Sequence, residues 1–424
     1  MTGVEAAGRL LASSRLRQLG QAGIDGQAFL TGGSLRDRLL GIPTHDLDLA
    51  VTGNPRTAAE VLATHLGGSF FPLGRAPLVT WRVRAPGFQV DVGGIAGRIE
   101  EDVLRRDFTV NAMFWRLPRG PLLDLVGGLD DLAAGRVRVV RPENLRDDPL
   151  RVLRAVRLLA THPQLRLTSA TERLLTVAAR GLAGVARERV CNELRSLLAG
   201  RAAERALAVA LRIGVLQVLL PAWDAYAHAN EAEALAGELA VRQAGRGPLA
   251  RGAADVAPAV LAAAAAGFPH TWHEEPATAA LAAAGWPARA AAHATAAAAL
   301  GERLAAVLGR DTPAERGLAA GAGDLIEGGL AWALARSAAH SRDLLPPAAA
   351  LLRWGRRFSA RPHLLSGSEI ADLLSLPPGP ARGDAVRALR LAQARGEVRT
   401  AAQARRRLAP GPALPTPSLV KRLR

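Results

Sequence analysis

At 424 residues, 49% of them hydrophobic and 22% charged, the chain is a folded protein with too much length for one core. Its formal charge of +16 rests on arginine, the one lysine being Lys421, and favours a polyanionic partner, since guanidinium groups suit bidentate phosphate contacts. A single cysteine, Cys191, excludes an internal disulfide framework or a thiolate zinc site and fits a cytoplasmic setting; no apolar run reaches the roughly 18–20 residues that cross a bilayer, and the first residues lack the apolar core expected of a secretory signal.

The first elements carry the densest chemistry. An apolar strand, Ala28 to Thr31, runs into Gly32 and Gly33 and then a helical stretch, Leu35 to Leu40. Paired glycines between a strand and a helix N-terminus let backbone N–H groups approach a phosphate chain, so Gly32 and Gly33 read as a phosphate cradle. The next strand, Asp46 to Val51, alternates Asp46 and Asp48 with leucines, which sends both carboxylates off one face. Two like charges so close call for a cation, and oxygen ligands beside a phosphate substrate point to Mg²⁺. A helix is predicted over Pro55 to Leu66, then strands at Ser69 to Leu73, Leu78 to Val83, Phe88 to Val92, Leu122 to Leu125 and Val137 to Val140. Asp91, between Val90 and Val92, is a third carboxylate on a strand.

Within Glu100 to Met113, Arg105, Arg106 and Asp107 precede Asn111, which shares a face with Asp107 if the segment is helical. Such a face could hold a sugar through Asp and Asn and a phosphate through Arg. From Pro149 onward strand signals vanish. Asp148 before Pro149 has the form of an N-cap followed by proline at the first helical position, and Arg151, Arg154 and Arg157 recur every third residue on one broad side of the helix. Further helices are predicted at Ala170 to Ala178, Arg187 to Leu198 and Ala202 to Ile213, with a break at Pro221, a loop over Gln243 to Pro258, a buried helix around Ala257 to Phe268 and a proline-rich tail from Pro410.

The ordered motifs resemble those of the class II tRNA nucleotidyltransferases and bacterial poly(A) polymerases, within the polymerase-beta-like superfamily. The first motif is matched by Gly32, Gly33, Arg36, Asp37, Leu39, Leu40, Gly41, Asp46 and Asp48, and the second by Arg105 through Ala112. A hinge-like motif follows in Asp124, Gly127, Gly128, Asp131 and Leu132, then Asp147 through Arg157, with Asp147 where glutamate is usual, and a weaker signature in Arg187 to Leu194. The resemblance covers about the first 220 residues. It implies an α+β fold: a nucleotidyltransferase head with a mixed sheet over residues 1–140, a helical neck that recognises bases over 141–230, and a helical body and tail over 231–424 that binds tRNA.

By that resemblance Asp46 and Asp48, with Asp91 as a possible third, hold the catalytic Mg²⁺. Gly33 and Arg36 contact the triphosphate, Arg106, Asp107 and Asn111 the ribose, and Asp148 and Arg151 the base, with Arg154 and Arg157 assisting. Cytosine and adenine each offer an amino donor beside a ring-nitrogen acceptor, so one Asp and one Arg can read both, whereas guanine and uracil present the reverse order. The implied reaction is attack of an RNA 3′-hydroxyl on the α-phosphate of CTP or ATP, releasing pyrophosphate and building CCA on tRNA. Only VGGIAGRI separates Asp91 from Glu100, where CCA-adding relatives carry a longer loop, so an enzyme adding CC alone is a rival, and an ATP-using poly(A) polymerase is another. None of His270, His273, His293, His340 or His363 is followed by Asp, so no His-Asp phosphohydrolase is expected.

Overall fold

The computed structural model describes residues 14–74, 79–95, 97–219, 274–283, 285–337 and 341–409. The expected break at Pro221, the loop from Gln243, the helix around Ala257 to Phe268 and the proline-rich tail lie outside them. Two compact units make up the chain: Met1–Val185 with Arg212–Val218, and Ala186–Leu211 with Leu219–Arg424.

In chain order the first unit contains α1 (Ser14–Gly20), β1 (Ala28–Thr31), α2 (Gly32–Leu39), β2 (Asp46–Val51), α3 (Pro55–Leu66), β3 (Ser69–Leu73), β4 (Thr80–Ala85), β5 (Phe88–Gly94) and α4 (Ile99–Leu104). There follow a 3₁₀ turn (Thr109–Asn111), β6 (Phe114–Arg116), β7 (Leu122–Leu123), α5 (Gly128–Ala133), β8 (Arg136–Val137), α6 (Glu143–Asp147), α7 (Leu150–Thr161), β9 (Arg166–Leu167) and α8 (Ser169–Ala178). The main sheet has the order β3-β4-β5-β2-β1-β6-β7 and is antiparallel except where β2 meets β5. That parallel pair sets Asp48 beside Asp91. The β4–β5 hairpin turns through Pro86 and Gly87, the latter at φ +80°, which fixes the register so that Arg82 faces Asp91.

β1 and the second half of β2 are buried on both faces, as their unbroken apolar runs Ala28 to Leu30 and Leu49 to Val51 require, and Phe29 meets Phe114 edge to face at 6.1 Å. Helix α3 follows an Asn54 cap whose side chain accepts from Arg56 and Thr57, carries Pro55 in its first turn, and ends on Gly67 in the left-handed region. Helix α7 buries Val152, Leu153, Ala155, Val156 and Leu159 and leaves Arg151, Arg154 and Arg157 half-buried on its other side. In the second unit Leu304, Leu330, Leu334 and Leu352 centre one core, and Ile370, Leu389, Ala404 and Leu408 another.

Several predicted bounds change. Helix α2 begins at Gly32, so the glycines form its first turn and do not precede it. The strand expected over Leu122 to Leu125 stops at Leu123, because the Asp124 carboxylate accepts from the N–H groups of Gly128 and Leu129 and bends the chain into α5. Of the Val137 to Val140 run only Val137 lies in a regular strand, β8, which begins one residue earlier at Arg136; Val139 forms a single bridge with Phe108. Strands do not vanish after Pro149, since Arg166–Leu167 pairs with β8, a two-residue match with no periodicity to announce it. Residues Asp107 to Asn111 are not one helix: α4 ends at Leu104 and a 3₁₀ turn follows. Helix α7 starts at Leu150, one residue later than the proline signal suggests, and the Asp148 carbonyl accepts the Arg151 N–H at 3.1 Å.

The hinge-like motif braces the 3₁₀ turn at Thr109–Asn111, within the segment predicted to hold the sugar. Asp131, 2% exposed, accepts from Thr109 Oγ1 at 2.6 Å, Arg136 Nε at 3.1 Å and Arg138 Nε at 2.9 Å. A Cβ on Gly128 would lie 2.2 Å from the Thr109 carbonyl oxygen, so only glycine permits this approach of α5 to the 3₁₀ turn. Replacing Asp131→Ala removes one buried acceptor of three donors; with both arginines half exposed, the expected loss is about 2 kcal/mol in urea unfolding.

Candidate nucleotide and metal site

Gly32 has φ +64°, and a Cβ there would sit 3.1 Å from Asp48 Oδ2. The first turn of α2 therefore lies directly against the second carboxylate of the Asp-x-Asp pair. Ser34 stitches the two together: its N–H donates to Asp48 Oδ2 at 3.2 Å, its hydroxyl accepts from the Asp48 N–H at 2.9 Å, and that hydroxyl donates to the Thr31 carbonyl. The sequence motif leaves the Ser34 position unspecified, so nothing in the pattern singles it out.

Asp46 is exposed at the start of β2, Asp48 is partly buried two residues on, and Asp91 faces Asp48 across the parallel ladder. Burial pushes the Asp48 carboxyl above the ordinary carboxylate range, and the Asp91 charge adds to this, while the Ser34 bonds and Arg106 oppose it. Asp91 gives both oxygens to Arg82, at 2.7 Å each. Those hydrogen bonds hold the Arg82 guanidinium above its usual value despite burial, with Asp46 and Asp48 contributing. Arg82 was open to discovery in the sequence, since a two-residue hairpin turn makes it the partner of Asp91. Among the described residues, no group of three or more His, Cys, Asp or Glu side chains gathers as metal ligands do. The donor chemistry nevertheless fits a hard divalent cation: two carboxylates share one face of β2, and the less exposed, Asp48, is charged only at a cost that a cation would offset.

A second network joins the predicted sugar site to the predicted base site. Asp107 is buried and accepts from Phe108 N at 2.8 Å, Asn111 Nδ2 at 3.1 Å and Arg154 Nε at 3.0 Å. Burial alone would raise the Asp107 carboxyl, but the Arg154 charge and these bonds outweigh it and hold the group below its ordinary range. Asn111 Oδ1 in turn accepts from Arg36 Nη1 at 2.6 Å. Arg36, only 7% exposed, also binds Asp37 through Nε and Nη2, so its guanidinium is turned into the protein and orders Asn111. Arg106 is held by Asp102 at 2.8 Å and lies over the Phe114 ring.

The predicted site residues fall into three groups and one outlier: Asp46, Asp48 and Asp91 with Gly32 and Gly33; Arg36, Asp107, Asn111 and Arg154; Asp148, Arg151 and Arg157 around the start and outer side of α7; and Arg106, held apart by Asp102. Arg151 Nη1 is buried and has no hydrogen-bond acceptor, a donor suited to an acceptor supplied from outside the chain.

Residues 28–92 and 84–138 match the family described as poly A polymerase head domain, and 164–227 match a probable RNA- and SrmB-binding site of polymerase A. A CC-adding tRNA nucleotidyltransferase of Geobacter sulfurreducens is 32% identical over 90% of this chain and 91% of its own length. An A-adding tRNA nucleotidyltransferase of Deinococcus radiodurans is 32% identical over 89% and 94%. With a CC-adding enzyme of Thermus thermophilus the identity is 42%, across 46% of this chain and 45% of that relative, so there the chain spans less than half the relative's length. Among solved structures, Thermotoga maritima CCA-adding enzyme complexed with tRNA gives a TM-score of 0.64 at 22% identity, covering 96% and 97% of the two chains. Bacillus stearothermophilus CCA-adding enzyme in complex with CTP gives 0.63 at 26%, covering 94% and 95%.

The Asp107 network carries a pH signature. A carboxylate whose folded value is depressed stabilises the fold at pH above its unfolded value, near 3.8, and that contribution fades as pH falls through the folded value. Asp107→Asn should therefore cost stability at pH 7, and the deficit in urea unfolding should shrink below about pH 4. With its head domain matched and its length shared almost throughout by two curated relatives, this chain belongs to the family of tRNA nucleotidyltransferases and poly(A) polymerases.

Proposed function

We propose that the chain is a template-independent tRNA nucleotidyltransferase that adds C, and by the fuller reading C and A, to a tRNA 3′ end from CTP and ATP. One observation supports this reading: Gly32 and Ser34 at the start of a helix press their backbone against Asp48, so a glycine turn and the Asp-x-Asp carboxylates lie together. Enzymes of this family generally depend on a divalent cation, and here Mg²⁺ would be held by Asp46 and Asp48 with Asp91 beside them. When bound, it supplies positive charge for the triphosphate and the departing pyrophosphate. The N–H groups at the start of α2 bind phosphate oxygens through the helix dipole. Asp107 and Asn111, fixed by Arg154 and Arg36, offer polar groups to the ribose. Arg151 donates to the acceptor on the Watson–Crick edge of cytosine or adenine, and Asp148 accepts from the amino group. The RNA 3′-hydroxyl attacks the α-phosphorus, the bond to the bridging oxygen breaks, and pyrophosphate leaves.

A second reading, CC addition alone, is favoured by the link after the third carboxylate. Strand β5 runs to Gly94 and α4 begins at Ile99, so only residues 95–98 connect them. So short a link leaves little chain to rearrange between one base and the next. The helical second unit would bind tRNA by shape and phosphate contact, its arginines supplying the charge. A single buried cysteine, and no described helix long and apolar enough to cross a membrane, fit a cytoplasmic setting.

Extension of tRNA lacking its 3′ end, with each nucleotide supplied singly and products read at nucleotide resolution, tests the reading. Two C residues from CTP support it. Growth with ATP alone and none with CTP would make the chain a poly(A) polymerase, and addition of A after CC separates CCA from CC activity. Asp46→Ala and Asp48→Ala should each lower incorporation at least about a thousandfold while tRNA binding in a gel-shift assay stays within about threefold, and chelation of divalent ions should stop incorporation by the unmodified protein. An unchanged rate in either variant would count against the assigned centre.

A further inference from the structure

His162 is 5% exposed and stands just past the C-terminal end of α7. Its Nε2 lies 2.8 Å from Asp37 Oδ1, and its Nδ1 lies 2.8 Å from Thr161 Oγ1. A carboxylate oxygen only accepts, so Nε2 carries the proton and donates to Asp37. Asp37 is the aspartate next to Arg36 on α2, and the same oxygen receives Arg36 Nε at 2.8 Å. The bond from His162 and the Arg36 charge together hold the Asp37 carboxyl below its ordinary range against the opposing effect of burial.

These contacts close a circuit. It runs from His162 to Asp37, through Arg36 to Asn111, from Asn111 to Asp107, and from Asp107 to Arg154, which lies on α7 again. Helix α7 is thus pinned by side chains at two points, Arg154 and His162, about 12 Å apart along its axis at 1.5 Å per residue. Packing of its buried apolar side seats α7, and the two polar pins add directional contacts that set how its arginine side lies against α2 and the 3₁₀ turn. An apolar side chain would fill the His162 position without the desolvation cost of a buried polar group, and buried polar contacts are poor sources of net stability. What the imidazole adds is direction: it sets Asp37, Asp37 shares its oxygen with Arg36, and Arg36 holds Asn111.

We propose that His162 is a positioning residue for the incoming nucleoside triphosphate: by donating from Nε2 to Asp37 it fixes the end of α7 to α2, so that the base-reading arginines keep one spacing from the sugar and phosphate sites. The role rests on the nucleotidyltransferase reading above. It touches neither substrate nor reacting atoms, and it governs how tightly and how selectively a pyrimidine nucleotide is held more than how fast it reacts. Loosening α7 lets a wrong base edge find partners that the fixed arrangement denies it, so selection between CTP and UTP depends on this bond.

The test compares the unmodified protein with His162→Leu, His162→Gln and His162→Asn. CTP affinity is measured by titration calorimetry in Mg²⁺ without RNA, and KM, kcat and UTP misincorporation on tRNA lacking its 3′ end. His162→Leu should raise both Kd and KM for CTP about tenfold, the loss of one hydrogen bond to a charged group, with kcat within about threefold and discrimination against UTP reduced by a similar factor. Glutamine places an amide N–H where Nε2 was and should restore most of the affinity, while asparagine is too short and should not. Unaltered Kd, KM and discrimination in His162→Leu would overturn the proposal, as would a fall in kcat at unchanged Kd or equal impairment of the leucine and glutamine variants. If the leucine variant does not fold, the glutamine and asparagine variants decide: tighter CTP binding by glutamine supports the role, and equal binding overturns it. Failure of the unmodified protein to incorporate C would bring down the parent reading and this role together, whereas an active unmodified protein matched by His162→Leu sinks this role alone.

Discussion

The structure of the site depends on one close approach, the first turn of α2 against the Asp48 carboxylate. Gly32 is in the left-handed region and has no Cβ to hold the helix away, so Ser34 N–H reaches Asp48 Oδ2 while the Asp48 N–H returns to the Ser34 hydroxyl. A helix N-terminus lowers the cost of a nearby negative charge, yet Asp48 remains pushed above the ordinary carboxylate range because burial and Asp91 outweigh that help. A protein gains no stability from holding two carboxylates on adjoining strands in this way. Under the proposed reading, a cation offsets these charges and a polyphosphate meets the N–H groups.

Around that point the polar groups form chains in which each side chain has its orientation set by another. Arg82 restrains Asp91 through two bonds, Asp131 gathers Thr109, Arg136 and Arg138, and Asp107 draws Asn111 and Arg154 together. Buried carboxylates such as Asp107 and Asp131 are expensive unless every lone pair is answered, and both are answered by several donors. The consequence is a site whose parts come from α2, β2, β5, the 3₁₀ turn and α7, joined so that displacing one part breaks bonds in the next. Such preorganisation is what nucleotide selection by hydrogen-bond pattern demands, since a base is rejected only if the wrong edge leaves buried donors unpaired.

The head was legible because its motifs force local structure. β1, β2 and α3 have the bounds their patterns predict, from the apolar alternation of Asp46 to Val51 and from Asn54, Pro55 and Gly67 at the ends of the helix. Short strands were not: Phe114–Arg116 and Arg166–Leu167 are too brief to show a period, and what makes them strands is the neighbour they pair with. The Asp107 to Asn111 spacing suggested a shared helical face; the two side chains do meet at 3.1 Å, but through a 3₁₀ turn that Asp131 and Gly128 brace from another segment.

By itself the sequence determined the chemistry: glycines where backbone must approach, carboxylates alternating on a strand, arginines on one side of a helix. Those are local properties, dictated by the period of a strand or helix and by the absence of a Cβ. Tertiary structure alone decided the partners. That Arg36 turns inward to Asn111, that Asp91 is held by Arg82 beside Asp48, and that His162 closes on Asp37 from 125 positions away follow from sheet order and helix packing, because hydrogen bonds between distant segments leave no periodic trace along the chain.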